Sequence, residues 1–503
     1  MHLTIKNYRS YSTSHPLKIQ IEDGVTAIVG PNNSGKSYIL RSFYEFRNLF
    51  REIGLNQFAH IGDPFNLNVP RISHTSEIFH KYNKDNIELV LEVNKAKLVS
   101  TVEKVGSLRT ISKFYINDRS VSRENINHNE LTGDFGGEKE ELIALRNSLA
   151  TLEHSIYFPS FRNTINIGAE ANYYDIDIGE AFIKSYRSFS TSPDSDVIKK
   201  SIQVENDLQQ LFGYNKFRVD SVPEQKKFIV NIDGEPYSLS DLGSGITQFI
   251  LVFASAAIKK PSFILIDEPE LNLHPKLQID FINRLLKYAK NGIIFATHNL
   301  GLAHSVADRI YSVTKINNKE SIITPFEETP NFTEFLGELN FANFLSLDVK
   351  KLLLVEGPNE VKVFSIFLEK MKKSQDIIIW PLRGNNLINN TREEELKQLT
   401  KLGTKIKICG WIDKETEPKT TERRKFIEVC KKLGFEIFLS AKRATENYFP
   451  DAAVKLIYPA LSQLGPNDDR PHGWCKNKNW QVAQVTKIED LKGTDLYAFL
   501  NKI

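Results

Sequence analysis

The sequence runs to 503 residues, 41% of them hydrophobic and 25% charged, with a formal net charge of +3. That length suits roughly two to four domains, each able to bury a core, and the near-neutral balance excludes a wholesale basic surface of the histone kind. Nucleic-acid contacts are then left to local clusters such as the basic run 419–425 or Lys431-Lys432, whose ordinary role is a solvated helix face. Three widely spaced cysteines (Cys409, Cys430, Cys475) give neither a disulfide framework nor a zinc site. The opening residues lack an apolar signal region, and no stretch approaches the ~20 apolar residues needed to span a bilayer. The expectation is a cytoplasmic protein with no membrane partner.

In chain order, alternation at Leu3 and Ile5 reads as a strand, followed by further strands at Leu17–Ile21 and Val25–Val29. A glycine loop comes next, Gly30-Pro31-Asn32-Asn33-Ser34-Gly35-Lys36-Ser37, and then apolar residues at helical spacing (Ile39, Leu40, Phe43, Phe46, Leu49) as far as about Phe50. Alternation returns at 87–93 and 109–116. Gly133–Gly137 interrupts it, 138–152 reads as a helix, and about 163–222 is a polar, largely helical insertion. Phe228–Ile232 is a strand with a turn at Asp233-Gly234. Phe263–Ile266 and Gly292–Ala296 have the continuous apolar character of buried strands. A boundary near 343–349 divides a first domain, 1–345, from a second α/β domain, 346–503, with strands at Leu352–Val355, Ile377–Trp380, Lys407–Trp411 and Phe435–Leu439.

A strand, a GxxxxGK[ST] loop and a helix form the setting in which backbone N–H groups and a helix N-terminus wrap nucleotide phosphates. Lys36 would neutralise the β- and γ-phosphates and the Ser37 hydroxyl would ligate Mg²⁺. Phe263–Glu268 is an apolar strand delivering two acids at its end, Asp267 for the Mg²⁺ shell and Glu268 to orient or activate the attacking water. His298 ends a later strand, placed to touch the γ-phosphate. Together with Leu242-Gly243-Ser244-Gly245 before an apolar helix, and Glu268-Pro269-Glu270-Leu271-Asn272-Leu273-His274-Pro275, these residues resemble the ABC-type ATPases. That resemblance implies ATP as cofactor and a homodimer in which Gly243, Ser244 and Gly245 of one subunit cap the nucleotide of the other. The phosphate loop itself would contribute Gly30, Asn33, Ser34 and Gly35. The long gap from Lys36 to Gly243 speaks against a transporter ATPase, and the insertion lacks the sustained heptads of an SMC coiled coil. Tyr157-Phe158-Pro159-Ser160-Phe161-Arg162 is similar to a segment of the compact DNA-repair and phage-defence ATPases, with no role assigned to Arg162.

Leu352-Leu353-Leu354-Val355-Glu356-Gly357-Pro358-Asn359-Glu360, Gly384-Asn385-Asn386 and Lys407–Glu415 resemble the Toprim fold of topoisomerases, primases and some nucleases. Glu356 and Glu360 share one side of the turn into a helix, and Asp413 and Glu415 project alike from a period-two strand. Carboxylates without histidine or cysteine suit hard Mg²⁺ or Mn²⁺, and phosphodiester cleavage uses two such ions about 3.5–4 Å apart. Glu415 departs from the usual Asp, which leaves its ligand role open. An ATPase followed by Toprim is the order of OLD-family nucleases, including the nuclease subunit of Gabija-type antiphage systems. This resemblance implies a further metal acid at Glu446 and a catalytic lysine at Lys492, with Lys487 and Lys442 as alternatives.

The expected architecture is an ABC-type P-loop ATPase with a helical, dimerising insertion, followed by a C-terminal Toprim domain. The expected function is an ATP-binding, metal-dependent DNA endonuclease of antiphage or plasmid defence, working as a homodimer or higher oligomer, with room for a helper protein. The alternative is an ATPase sensor whose Toprim unit is inert or activates a separate effector. RNA in place of DNA, and whether nucleotide licenses or restrains cutting, stay open.

Overall fold

The computed structural model describes every residue except 56–59, 84, 105–106, 122–138, 161–171, 223–226, 239–240, 243, 271–274, 318, 327–350, 372, 374–376, 383–395 and 398–406. The chain divides into two compact units, one spanning 1–298 with 308–330, the other 299–307 with 331–503. Among the described residues no helix is long and apolar enough to cross a membrane.

The first unit is built on a six-stranded sheet in the order Glu320–Pro325, Arg309–Ile316, Gly24–Val29, Gly292–Thr297, Phe263–Asp267, Ile156–Phe158. Every pair is parallel except the outermost one, Arg309–Ile316 with Glu320–Pro325. Phe263–Asp267 and Gly292–Thr297 are buried along their whole length, as strands covered on both faces must be, so their sequence is a continuous apolar run. The phosphate-loop strand lies near the middle, beside Gly292–Thr297, and only glycine fits where the two begin. A Cβ on Gly292 would stand 1.9 Å from the carbonyl oxygen of Gly24.

A second, antiparallel sheet of seven strands includes Ile87–Val93, Ala96–Val102 and Arg109–Ile116. Ala96–Val102 and Arg109–Ile116 alternate between buried and more exposed residues, the pattern of a sheet with one face on the core. The expected helix to about Phe50 is two helices, Lys36–Glu45 and Arg47–Leu55, meeting at Phe46.

The insertion expected to be polar and largely helical carries β structure as well. Its described part holds two helices, Gly179–Ser190 and Ser195–Phe212, but it opens with a small hairpin (Asn172–Tyr173, Ile176–Asp177). It closes with a strand, Phe217–Val222, which pairs with Lys227–Ile232. The alternation of Phe217, Val219 and Ser221 inward carries that strand.

The second unit centres on a four-stranded, all-parallel sheet in the order Ile377–Pro381, Lys351–Val355, Lys407–Ile412, Glu436–Leu439. Helices Pro358–Lys370, Asn479–Val485 and Asp495–Lys502 supply Phe364, Phe367, Val482, Phe499 and Leu500 to a core around Trp411. In both units the acids expected to be functional follow the carboxyl ends of central strands, the edge where open α/β sheets bind ligands.

Candidate nucleotide site and carboxylate centre

The phosphate loop is held from behind. Gly35 has φ +110°, and a Cβ there would lie 2.5 Å from Ser321 Oγ. A Cβ on Gly30 would lie 2.3 Å from the Val313 carbonyl oxygen. Ser321 Oγ donates to the Ser34 carbonyl at 2.5 Å, and Tyr11 Oη to that of Gly35 at 3.2 Å. Asn33 takes a positive φ of 62°. The helix Lys36–Glu45 begins immediately after Gly35, so its positive end faces the loop.

Lys36 is buried, and its Nζ donates to the carbonyls of Gly30 and Pro31, both at 2.8 Å. Burial lowers its proton affinity, against the opposing pull of Asp267, Glu268 and Glu270. Across from the loop, burial pushes the Asp267 carboxyl up to about 6, partly offset by a hydrogen bond from Ser37. Asp267 Oδ1 and Ser34 Oγ are buried with no hydrogen-bond partner.

Glu268 adopts φ 51° and accepts a hydrogen bond from Ser160 Oγ at 3.0 Å. A left-handed non-glycine residue is a strained conformation concentrated at functional sites. His298 is held by a residue given no separate role in the sequence, Glu270. Its Oε1 accepts from Thr297 Oγ1 at 2.5 Å and from the His298 amide at 3.1 Å, and lies 3.1 Å from His298 Nδ1. The contact with Glu270 raises the proton affinity of the ring, against burial. Ser160 and Glu270 both lay inside the quoted motif strings, which was the only signal for them.

Lys36, Ser37, Ser160, Asp267 and Glu268 line a cavity of about 900 Å³, together with Arg9, Glu77, Lys81, Lys315 and Lys319. Five cations with three acids, Glu77, Asp267 and Glu268, make a receptor for a polyanion accompanied by a metal. The unpartnered Asp267 oxygen, with Ser37 beside it, fits a Mg²⁺ shell in kind. Of the expected capping residues, Gly243 and the Ser244 side chain lie outside the described residues. Gly245 falls in the first turn of the helix Ser244–Lys259, where a Cβ would meet open space. Residues 271–274 and Arg162 are also outside the described residues.

In the second unit, Glu356 follows strand Lys351–Val355, Asp413 follows Lys407–Ile412, and Glu360 sits in the first turn of helix Pro358–Lys370. Glu446 lies on a short turn of helix, Thr445–Tyr448. Glu360, Asp413 and Glu446 are all buried. They share one electrostatic environment. Burial raises the Asp413 carboxyl well above its ordinary value, and the charges of Glu356, Glu360 and Glu446 raise it further.

Positive charge is already present among these acids. Arg423 grips Glu356 through two bonds, Nε to Oε1 at 2.8 Å and Nη2 to Oε2 at 2.9 Å. Lys476 Nζ lies 3.0 Å from Glu360 Oε1. Burial works against the charge of Lys476, but Glu360, Glu446 and Asp413 together hold its proton affinity above the ordinary lysine value. Asp413 Oδ1 accepts from Thr445 Oγ1 at 2.9 Å, and Glu446 Oε2 from Asn479 Nδ2 at 3.2 Å. With these cations and donors in place, no group of three or more His, Cys, Asp and Glu among the described residues closes around a metal position. The donor set is nevertheless the right kind for Mg²⁺ or Mn²⁺: three buried carboxylates whose repulsion a divalent ion would relieve.

Glu415 stands at the edge of this group, with φ 54° and Arg443 Nε 3.5 Å from its carboxylate. Lys492 does not join it. That lysine is exposed at the end of the short helix Ile488–Leu491, and among the described residues no ion pair links it to the acids. Lys442 spends its ammonium on the Asn447 carbonyl and the Tyr448 ring. The lysine at the carboxylates is Lys476, which no motif marks. Residues 384–386, the expected glycine-asparagine turn, lie outside the described residues.

Residues 25–303 match the family described as "AAA domain, putative AbiEii toxin, Type IV TA system". The chain belongs to this AAA-domain family. It is a P-loop ATPase, and the matched span runs from the phosphate-loop strand past His298. This AAA-domain chain is 22% identical over 432 residues to the endonuclease GajA of Bacillus cereus (strain VD045), covering 75% of this chain and 68% of that protein. It is 24% identical over 385 residues to the spermidine/putrescine import ATP-binding protein PotA of Onion yellows phytoplasma (strain OY-M), covering 73% and 78%. The SMC head domain from Thermotoga maritima aligns with a TM-score of 0.35 at 18% identity, over 64% of this chain and 97% of that one.

Proposed function

We propose that this ATPase is a nucleotide-controlled, metal-dependent nuclease of the OLD type, with a Toprim second domain that cuts DNA. The observation that carries the reading is the meeting of Glu360, Asp413, Glu446 and Lys476 behind the ends of parallel strands, in a chain that also holds a complete phosphate loop. The likeness to the endonuclease GajA, over 75% of the chain, supports the nuclease part of this reading.

At the first site Lys36 and the loop amides would bind the triphosphate, Ser37 and Asp267 would hold its Mg²⁺, and Glu268 would orient the attacking water. Glu270 fixes His298 against the γ-phosphate. At the second, Glu360, Asp413 and Glu446 would hold Mg²⁺ or Mn²⁺, with Glu356 and Glu415 at their margin. When bound, such an ion supplies Lewis acidity and an activated water. Lys476 places its charge against the phosphate undergoing cleavage, the role the sequence had given to Lys492. Gly243–Gly245 of a second copy would cap the nucleotide, making the working unit a homodimer or a multiple of it, in antiphage or plasmid defence with or without a helper protein.

The test is to incubate the full chain with supercoiled, linear and single-stranded DNA and with RNA, varying Mg²⁺, Mn²⁺ and ATP independently. Metal-dependent cleavage is expected, falling by at least about 100-fold in Asp413→Asn and in Lys476→Met. Protein that hydrolyses ATP but leaves every nucleic acid intact would instead favour a second reading. In that reading the second unit is an inert or effector-activating scaffold, and it draws its support from the cations already seated at Glu356 and Glu360.

A further inference from the structure

The nucleotide cavity has a direction, set by the order of the strands beneath it. Asp267 and Glu268 follow strand Phe263–Asp267, two places from the phosphate-loop strand on one side, and Ser160 follows Ile156–Phe158 beyond it. Lys315 and Lys319 come from the opposite side, from strand Arg309–Ile316 and the turn after it. A triphosphate whose last phosphate meets Glu268 therefore runs toward these lysines, and its nucleoside lies at their end of the cavity.

Among the described residues three aromatic side chains line the cavity, Tyr38, Phe79 and Tyr82, and the first two are already engaged. The Arg9 guanidinium stands over the Tyr38 ring at 5.1 Å, and Phe79 is buried with Lys104 over its ring at 5.4 Å. Tyr8 and Tyr11, nearer the start of the chain, are wholly buried and spend their hydroxyls on Glu45 and the Gly35 carbonyl. Tyr82 is different: it is 56% exposed.

Its backbone is nonetheless held in place. Tyr82 follows the short turn of helix Thr75–Ile78, in a segment that bridges Phe79 to Tyr8 and donates the His80 amide to the Asn7 carbonyl at 2.9 Å. The Tyr82 amide donates to Nδ1 of buried His80 at 3.4 Å, and the two rings meet edge-on, 5.9 Å apart at 66°. Lys319 and Lys81 keep their ammonium groups 5.4 and 5.9 Å from the Tyr82 centroid, within cation–π reach. Both lysines are exposed, on flexible stems that can release a ring face at little cost. An exposed aromatic ring on an anchored segment, covered only by mobile cations, suits a flat ligand that carries phosphate.

We propose that Tyr82 is the platform on which the base of a bound nucleoside triphosphate stacks, displacing the lysine that covers its ring. The displaced ammonium stays in the cavity that holds the phosphates, so its charge remains partnered. This deepens the nucleotide-site reading above and rests on it, and it does not depend on the nuclease reading.

The experiment is calorimetric titration of the full chain, in Mg²⁺, with the non-hydrolysable β,γ-imido analogue of ATP and separately with inorganic tripolyphosphate. Tyr82→Ala is expected to weaken the nucleotide by about 5–100-fold, the usual worth of one stacked base, and to leave tripolyphosphate binding unchanged. Tyr82→Phe, which keeps the ring, should bind both ligands like the parent. Tyr82→Trp keeps the platform and reports on it. Its fluorescence should be quenched by the nucleotide beyond any change in the parent, and not by tripolyphosphate. A Tyr82→Ala protein that binds the nucleotide like the parent, or that loses tripolyphosphate in step with it, overturns the inference and leaves the triphosphate seat standing. A parent protein that binds neither ligand overturns both.

Discussion

The two sites differ in how they treat charge before any ligand arrives. At the phosphate loop, a buried carboxylate oxygen of Asp267 and the buried hydroxyl of Ser34 lack partners, and Lys36 is satisfied only by carbonyls of the loop itself. In the second unit Glu356, Glu360 and Glu446 each already face a basic side chain, and Asp413 a hydroxyl. The first site gains a ligand by addition. At the second, a cation would have to displace one of these basic partners, Arg423 from Glu356 or Lys476 from Glu360.

The largest effect that would break this comparison is at Glu268. If the first site is built to take nucleotide and then act on it, Glu268→Gln should lower ATP hydrolysis by about 10²–10⁴-fold, the usual worth of a positioned acid–base group. ATP binding, measured by equilibrium dialysis, should be retained, because the phosphates are held by the loop and Lys36. Loss of binding in step with hydrolysis would mean that the carboxylate belongs to the ligand shell and that Glu268 is misassigned. Glu270→Gln is expected to have a smaller effect, about tenfold, since it reaches the γ-phosphate only through His298. Steady-state hydrolysis rates for the two variants would rank them.

How legible these sites were depended on whether a side chain's role was written into a local pattern. The glycine loop, the apolar strand ending at Asp267 and the strand ending at His298 announce themselves because phosphate binding needs a fixed backbone and parallel strands need continuous apolar runs. The strands of the second unit were legible in the same way, from apolar runs such as Leu352–Val355 and Lys407–Trp411, but their order in the sheet was not. Arg423 was hidden in a basic run that reads as solvated surface. Yet Thr420, Arg423, Ile427 and Cys430 are all buried at helical spacing, so the period, more than the charge, held the information. Lys476 had no such trace. It reaches Glu360 across 116 positions of sequence from a three-residue turn, Lys476–Lys478, whereas Lys492 matched a family pattern, and among the described residues no ion pair joins it to the acids. The strand Phe217–Val222 fell within the span read as polar and largely helical, where its polar residues alternating with Phe217 and Val219 hid the period of two.

A pH titration sharpens the comparison at intermediate size. Burial raises the Asp267 carboxyl from 3.8 to about 6 in the folded protein. A raised acid favours the protonated form, so without ligand this group subtracts stability as pH rises from about 4 to 6 and no further above that. Metal–nucleotide binding needs the carboxylate, so the affinity should be flat above pH 7 and fall by up to about tenfold per unit below 6, with a proton released on binding. Asp267→Asn should abolish both the slope and the proton release while leaving metal-free nucleotide binding in place. The comparison to make is between calorimetric titrations of parent and variant in buffers of different ionisation enthalpy. A slope that survives the substitution would place the titrating group elsewhere.

The smallest expected effect probes the packing that holds the exchange site together. Helix Pro358–Lys370 carries Glu360 in its first turn, and at its far end Lys370 Nζ donates to the carbonyls of Ala483, Gln484 and Thr486 at 2.9, 2.7 and 2.5 Å. Those carbonyls close helix Asn479–Val485, whose first residue bonds Glu446. Lys370 therefore ties the element bearing one acid to the element that orients another, using the unpaired carbonyls of a helix end. Lys370→Met keeps the stem and removes the donors. Because the ammonium is partly exposed, the loss should be about 1 kcal/mol, which lowers the midpoint of thermal unfolding by about 2–4 °C. ATP hydrolysis should not change, since the residues of the first site make no use of this staple. A variant that unfolds like the parent, yet loses Mn²⁺ affinity, would show that the staple acts on the spacing of Glu360 and Glu446 rather than on stability.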